Sequence, residues 1–340
     1  MNIGFAYNVK HNTDYSTEAD QADLEFDSEF VINSIEDAIR SLGHTVTKIE
    51  ADLNAYEKLK EMRTKLDLVF NIAEGLGGDA RESQIPIFCE MLEIPYTHSN
   101  PTTHAIKLNK QLTKDLLSLH GVNVPKAIVY DSASKELSKH ELNYPLIVKP
   151  NNQGSSKGIF NDSVVNDHNE LSKAVNRVLD EYDTEALVEE YIDGREFTVP
   201  MLGNPPRMLP IVEQKFDFLP EGFNKVAGYE LKWIYEDSLD DIKNAYDCPA
   251  KIPAQLEEEI ERISNIVWSI LNVKDCARID YRLNNKNDLY FIEINTLPGI
   301  NPDKNAISYF PLSARTAGMT FNDLIDAIIT SAIERNQFQK

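Results

Sequence analysis

Basic residues are in short supply in this 340-residue chain: 34 Lys and Arg stand against 55 Asp and Glu, a formal net charge of −21. A surface of that sign repels nucleic-acid backbones and anionic lipid, so neither partner is expected. Cysteine is equally scarce. Cys89, Cys248 and Cys276 are odd in number and far apart, which argues against a disulfide framework or a CxxC metal site and leaves three buried, inert thiols as the expectation. No apolar run reaches the ~20 residues that cross a bilayer. The opening Met1-Asn2-Ile3-Gly4-Phe5-Ala6-Tyr7 lacks the basic and long apolar regions of a signal peptide, so a cytoplasmic protein is expected. No Gly-x-Gly-x-x-Gly follows the first apolar run, which argues against a Rossmann dehydrogenase.

What is present is a soluble globular composition, 42% hydrophobic and 26% charged, long enough for two or three layered α/β units. In the first hundred residues, strands predicted at Ile3 to Tyr7, His44 to Ile49 and Leu66 to Ile72 alternate with helices at Phe30 to Leu42 and Ile85 to Leu92. That is the pattern of a parallel sheet with crossover helices. Between the first strand and its helix, Lys10 to Asp27 is polar, acidic and too long for an ordinary connection, as a lid or a disordered excursion would be. The expected division is 1–100, 101–195 and 196–340. The second unit carries a helix from Lys110, a strand ending in Lys149-Pro150 and two strands separated by Asp193-Gly194. The third carries one strand from Met208 to Phe216, a helix from Ala254 to Leu271, and a hairpin of Cys276 to Leu283 and Leu289 to Thr296.

The hairpin carries the most informative chemistry. Alternation puts Glu293 and Asn295 on one face, with Ile292 and Ile294 on the other, and a turn near Lys286 brings Asp280 opposite Glu293. Three hard oxygen ligands then converge, a set suited to Mg²⁺ completed by water and phosphate oxygens; the plain alternative is a solvated acidic face. After Lys149, the small residues Gly154, Ser155 and Ser156 let backbone N–H groups approach a polyphosphate, although alone they read equally as a surface turn. The strand through Glu189 and Ile192 to Glu196 offers a backbone edge to a purine and a carboxylate to a ribose, or is an ordinary hairpin with exposed glutamates.

Taken together, Glu74-Gly75 with Gly78 and Gln84, Ile94-Pro95-Tyr96-Thr97, Lys110, Lys149-Pro150 with Gly154-Ser155-Ser156, Glu189 to Glu196, Lys232, Cys248-Pro249-Ala250 and Arg278 to Gly299 resemble the D-alanine–D-alanine ligase family of the ATP-grasp superfamily. The resemblance implies an α/β chain with α+β elements in the ATP-grasp fold, three domains with a Rossmann-like N-terminal parallel sheet. It implies that Lys110, Lys149 and Lys232 contact ATP phosphates beneath a loop containing Ser155 and Ser156. Glu189 and Ile192 would meet adenine, and Glu196 the ribose. Asp280, Glu293 and Asn295 would hold two Mg²⁺ ions, with Mn²⁺ as an alternative. Arg278 and the Gly299 N–H would stabilise an oxyanion, with Ser155 also in the catalytic set. A homodimer is carried over in the same way.

The departures lie on the substrate side. The family's Gly-Gly-x-Ser-x-Glu is missing, its His-Gly reads Glu74-Gly75, its Tyr reads Trp233, and its Ser-Leu reads Lys304-Asn305. Glu74 is then expected to meet a substrate cation and Lys304 a substrate carboxylate. The expected activity joins two amino acids, or an amino acid and a small amine or peptide, through an acyl phosphate. The competing class is an ATP-binding regulatory protein without ligase activity.

Overall fold

The computed structural model describes residues 1–11, 23–131, 137, 140–182, 184–231, 235, 236, 239 and 241–337. Three sheets follow one another along the chain. In the first, β1 (Asn2–Tyr7), β2 (Thr45–Glu50) and β3 (Leu68–Asn71) run parallel in the order β2-β1-β3. Helix α1 (Glu29–Ser41) forms where the pattern requires: Ser28 caps its N-terminus by accepting from the Val31 N–H, Glu29 and Arg40 complement the dipole, and Gly43 follows at φ +85°. Its stripe of Val31, Ile32, Ile35 and Ile39 lies against β1 and β3.

Both faces of this sheet are covered, which is why β1 and β3 read as nearly continuous apolar runs, while the edge strand β2 carries exposed polar residues. Helices α2 (Ala55–Met62) and α3 (Gln84–Leu92) close the second face. Helix α4 (Pro101–Leu108), capped by Asn100, and α5 (Lys110–Ser118), capped by Asn109, lead into the second sheet. There β4 (Ala127–Tyr130), β5 (Leu146–Pro150), β6 (Val164–Val165) and β7 (Ala186–Glu190) pair antiparallel as β4-β7-β5-β6 under α6 (His168–Glu181).

The third sheet holds β8 (Gly194–Leu202), β9 (Arg207–Met208), β10 (Val212–Gln214), β11 (Tyr246–Asp247), β12 (Cys276–Asn284) and β13 (Leu289–Asn295). Its order is β11-β10-β8-β12-β13, with β9 on β8, and α7 (Ala254–Ile270) packs on its apolar face. The single strand expected over Met208 to Phe216 is instead two short ones, because Pro210 between them has no N–H to give the ladder. Helices α8 (Tyr309–Thr316) and α9 (Phe321–Gln337) return to the first sheet, where Phe310, Leu324, Ile325 and Ile328 complete the core around Ile3 and Phe5.

Cys89 and Cys276 are buried as expected, and burial pushes both thiols up; Cys248 is only half-buried, its Sγ 3.3 Å from Thr316 Oγ1. Among the described residues, no helix is long and apolar enough to cross a membrane.

Candidate active site

The pleat of the third sheet turns alternate residues to one face, and the register stacks them in rows. Thr198, Asp280 and Glu293 lie side by side across β8, β12 and β13, so Asp280 faces Glu293 as the hairpin reading expected. Arg278 faces Asn295 in the adjoining row. The Thr198 hydroxyl donates to Asp280 Oδ1 at 2.8 Å, and Arg278 donates to both Asp280 oxygens at 2.9 to 3.2 Å. Burial opposes the Arg278 charge, but Asp280 outweighs it and holds the guanidinium above its ordinary range. One expectation fails: a β-bulge between Asp280 and Tyr281 shifts the register, and Ile292, expected on the hidden face, lines the same cavity as Glu293.

Among the described residues, no group of three or more His, Cys, Asp and Glu is arranged to hold a metal. The candidate set is two carboxylates and an amide, and such a set fits Mg²⁺, which keeps water and substrate oxygens in its shell. Asn295 Oδ1 meanwhile accepts from the Leu297 N–H at 3.0 Å.

Two buried lysines approach this face from the second sheet and α5. Lys110 Nζ lies 3.7 Å from Glu293 Oε2 and donates to the Gln153 carbonyl. Burial pulls the Lys110 ammonium below the usual lysine range, with Glu293 acting against it. Lys149 Nζ lies 2.7 Å from Glu189 Oε2, and Lys114, which sequence reasoning did not single out, pairs with the other oxygen. Burial disfavours the Glu189 charge, but the two lysines outweigh it and keep the carboxyl ionised. The carboxylate expected at adenine is thus paired with two ammonium groups and lines the cavity.

The loop after β5 carries two non-glycine residues at positive φ, Ser155 at +49° and Ser156 at +61°. Such a conformation costs energy and is kept where surrounding contacts determine it. Those contacts come from the first unit. Glu25 Oε1 accepts from the Gly154 N–H at 2.5 Å, Arg81 donates to both Glu25 oxygens, and Arg81 Nη1 donates to the Asn152 carbonyl at 3.0 Å.

Two cavities adjoin across this loop. One is lined by Lys149, Ser156, Tyr191, Ile192, Glu196 and Asp280; the other by Asp27, Glu74, Glu82, Ser155, Asn295 and Gly299. They share Lys110, Gln153, Gly154, Arg278 and Glu293. In the second cavity Glu82 is paired with Lys107 and lies 3.6 Å from His104, whereas no hydrogen bond is formed by the Glu74 carboxyl among the described residues. Burial, with Glu82 and Glu25 nearby, drives Glu74 well above the ordinary carboxylate range, and burial pushes Asp27 up to about 6.

Lys304 does not join this constellation: it is exposed, lines neither cavity, and sits in a turn where Asp303 accepts from the Asn305 N–H at 2.8 Å. Lys232 and Trp233 lie outside the described residues. Sequence reasoning missed Arg81, Glu25, Lys107, Arg282 and Tyr309. Arg282 alone had a signal, since it is two strand steps beyond Asp280.

A protein-family model described as D-ala D-ala ligase C-terminus matches residues 116–330. A D-alanine–D-alanine ligase of Rhizorhabdus wittichii is 33% identical over 308 residues, spanning 88% of this chain and 90% of that protein. An uncharacterized protein of Sinorhizobium fredii is 32% identical over 313 residues, with 90% and 88% covered. The structure of D-alanine–D-alanine ligase from Bacillus anthracis complexed with ATP aligns over 100% of both chains with TM-score 0.74 and 23% identity. The VanG D-Ala:D-Ser ligase of Enterococcus faecalis aligns over 97% of this chain and 99% of its own, with TM-score 0.72 and 22% identity. These two structures share the fold.

Proposed function

The chain belongs to the D-alanine–D-alanine ligase family and has its ATP-grasp fold, and from that premise we propose that it is an ATP-dependent carboxylate–amine ligase joining two amino acids, or an amino acid and a small amine or peptide. The observation that carries the reading is the junction of two cavities at Lys110, Arg278 and Glu293. A phosphoryl transfer from nucleotide to carboxylate requires one compartment for each and a shared, positively charged wall between them.

On this reading ATP occupies the cavity between the second and third sheets. The backbone of Glu190 to Ile192 meets the base, Glu196 the ribose, and Lys110, Lys149, Ser155, Ser156 and Lys232 the phosphates. Asp280, Glu293 and Asn295 would hold Mg²⁺, which would supply positive charge to neutralise the phosphates. The substrate carboxylate in the second cavity attacks the γ-phosphorus, and the bond to the ADP oxygen breaks, giving ADP and an acyl phosphate. Lys110 and Lys149 offset the charge that develops. The amine of the second substrate then attacks the acyl carbon, with Arg278 and the Gly299 N–H stabilising the oxyanion until the acyl C–O bond breaks, giving the amide and phosphate, which takes up the proton that the amine loses.

Glu74 supports a substrate cation in the second cavity: a carboxyl raised by burial and like charge gains most when an ammonium joins it. The complementary role expected of Lys304 has no support from its exposed position.

Purified protein screened against amino-acid pairs should release phosphate from ATP only when both an acid and an amine are present. Phosphate release that ignores the amine favours a regulatory nucleotide-binding protein instead. Efficient turnover with D-alanine alone, unchanged in Glu74→Gln, removes the proposed cation site.

A further inference from the structure

We propose that Arg282 is a positioning residue of the nucleotide cavity, fixing the ribose-side carboxylate Glu196 and the segment that roofs the cavity with a single guanidinium. The inference rests on the reading of that cavity as an ATP site. Strand alternation carries Arg278, Asp280 and Arg282 on one face of β12, and the register sets Arg282 directly opposite Glu196, which in turn faces Gln214 on β10. Arg282 is 6% exposed and lines the cavity together with Glu196. Its Nε lies 3.3 Å from Glu196 Oε2, and its Nη2 donates to the Lys225 carbonyl.

The roof is defined by the same contacts. The Tyr191 hydroxyl donates to that Lys225 carbonyl at 2.9 Å, and the next two residues, Val226 and Ala227, line the cavity. Ser156 Oγ donates to the Ala227 carbonyl at 2.6 Å and the Tyr229 N–H to the Ile159 carbonyl at 2.8 Å, so the roof hangs between the Gly/Ser loop and Arg282. The guanidinium is also within 5.1 Å of the Tyr191 ring centre and 5.6 Å of that of Phe216, faces that stabilise a desolvated cation. The planar guanidinium sets its charge beside the Glu196 carboxylate while its Nη2 bonds the Lys225 carbonyl, a fixed fork that a compact ammonium does not reproduce.

The test is nucleotide binding and steady-state kinetics with ATP and 2′-deoxy-ATP for the full chain and for Arg282→Met, Arg282→Lys and Glu196→Gln. Wild type should favour ATP. Arg282→Met should raise the Kd and KM for ATP roughly tenfold, the scale of losing a charge-assisted bond, with kcat within about twofold. It should also abolish the preference over 2′-deoxy-ATP, with Arg282→Lys intermediate. Glu196→Gln should abolish the same preference, and combining it with Arg282→Met should add little. Equal weakening of both nucleotides in Arg282→Met, or an unchanged ratio, makes Arg282 merely structural and overturns the inference while leaving the ATP reading intact. Failure of the wild-type chain to bind ATP overturns that reading, and this inference with it.

Discussion

Glu25 and Gly154 are 129 residues apart in sequence, yet the Glu25 carboxylate accepts from the Gly154 N–H at 2.5 Å while Arg81 grips the same carboxylate at 2.8 Å. The first unit thereby holds the loop that separates the two cavities. A backbone N–H of a proposed phosphate loop is committed to a protein carboxylate, and its neighbours Ser155 and Ser156 take up strained positive φ around it.

This contact predicts a selective lesion. A Cβ on residue 154 stands 2.3 Å from Glu25 Oε1, so Gly154→Ala must swing that oxygen off the Gly154 N–H, with Oε2 left on Arg81. The expected result is a KM for ATP raised about tenfold, the scale of one charge-assisted hydrogen bond, with little change in thermal stability. Gly77→Ala is the control, since nothing lies within 4 Å of its added carbon. Equal kinetics in the two variants would deny the loop contact any role.

The raised Glu74 carboxyl sets a pH dependence. Its folded pKa lies above the unfolded one, chiefly through burial, so its contribution to stability is present below the unfolded value and is lost as pH rises through the folded value. Glu74→Gln should therefore melt higher than wild type at pH 8 and level with it near pH 4. A cationic substrate should reverse the order at pH 8 by stabilising only the wild type. Melting curves at the two pH values, with and without amine, decide it; a variant less stable at pH 8 without ligand contradicts the burial argument.

A second long-range pair closes the fold. Asp275 is fully buried and accepts from Arg335 on α9 at 3.0 Å, from the His98 N–H at 2.7 Å and from Asn204 at 2.6 Å. Removing Arg335 strands a buried carboxylate, and breaking such a pair costs about 3 kcal/mol. Burial already raises Asp275, and loss of the guanidinium raises it further, so Arg335→Ala should lose more stability at pH 8 than at pH 5. Urea midpoints at both values test this, and equal losses would point to packing alone.

Much of this arrangement was legible in the strands. Alternation and one short turn were enough to place Asp280 opposite Glu293, because register follows from local geometry. The same rule misplaced Ile292, since a bulge leaves no mark in a single sequence. The resemblance assigned Glu189 to adenine; the two lysines that pair with its carboxylate come from α5 and β5, and such convergence has no sequence signature. Lys304 lines neither cavity, and motif spacing beyond Gly299 does not reveal where a turn points. The Glu25 clamp joins residues of opposite ends of the N-terminal half, and nothing local announces it.

The central claim is a carboxylate activated by phosphoryl transfer at the wall shared by the two cavities. The direct measurement is turnover with a substrate amino acid whose carboxyl oxygens are ¹⁸O, followed by mass analysis of the phosphate released. One ¹⁸O per phosphate, formed only when the amine is present and lost in Lys110→Ala, is the predicted result. Phosphate without label means that water, rather than the carboxylate, attacks the nucleotide, and contradicts the account.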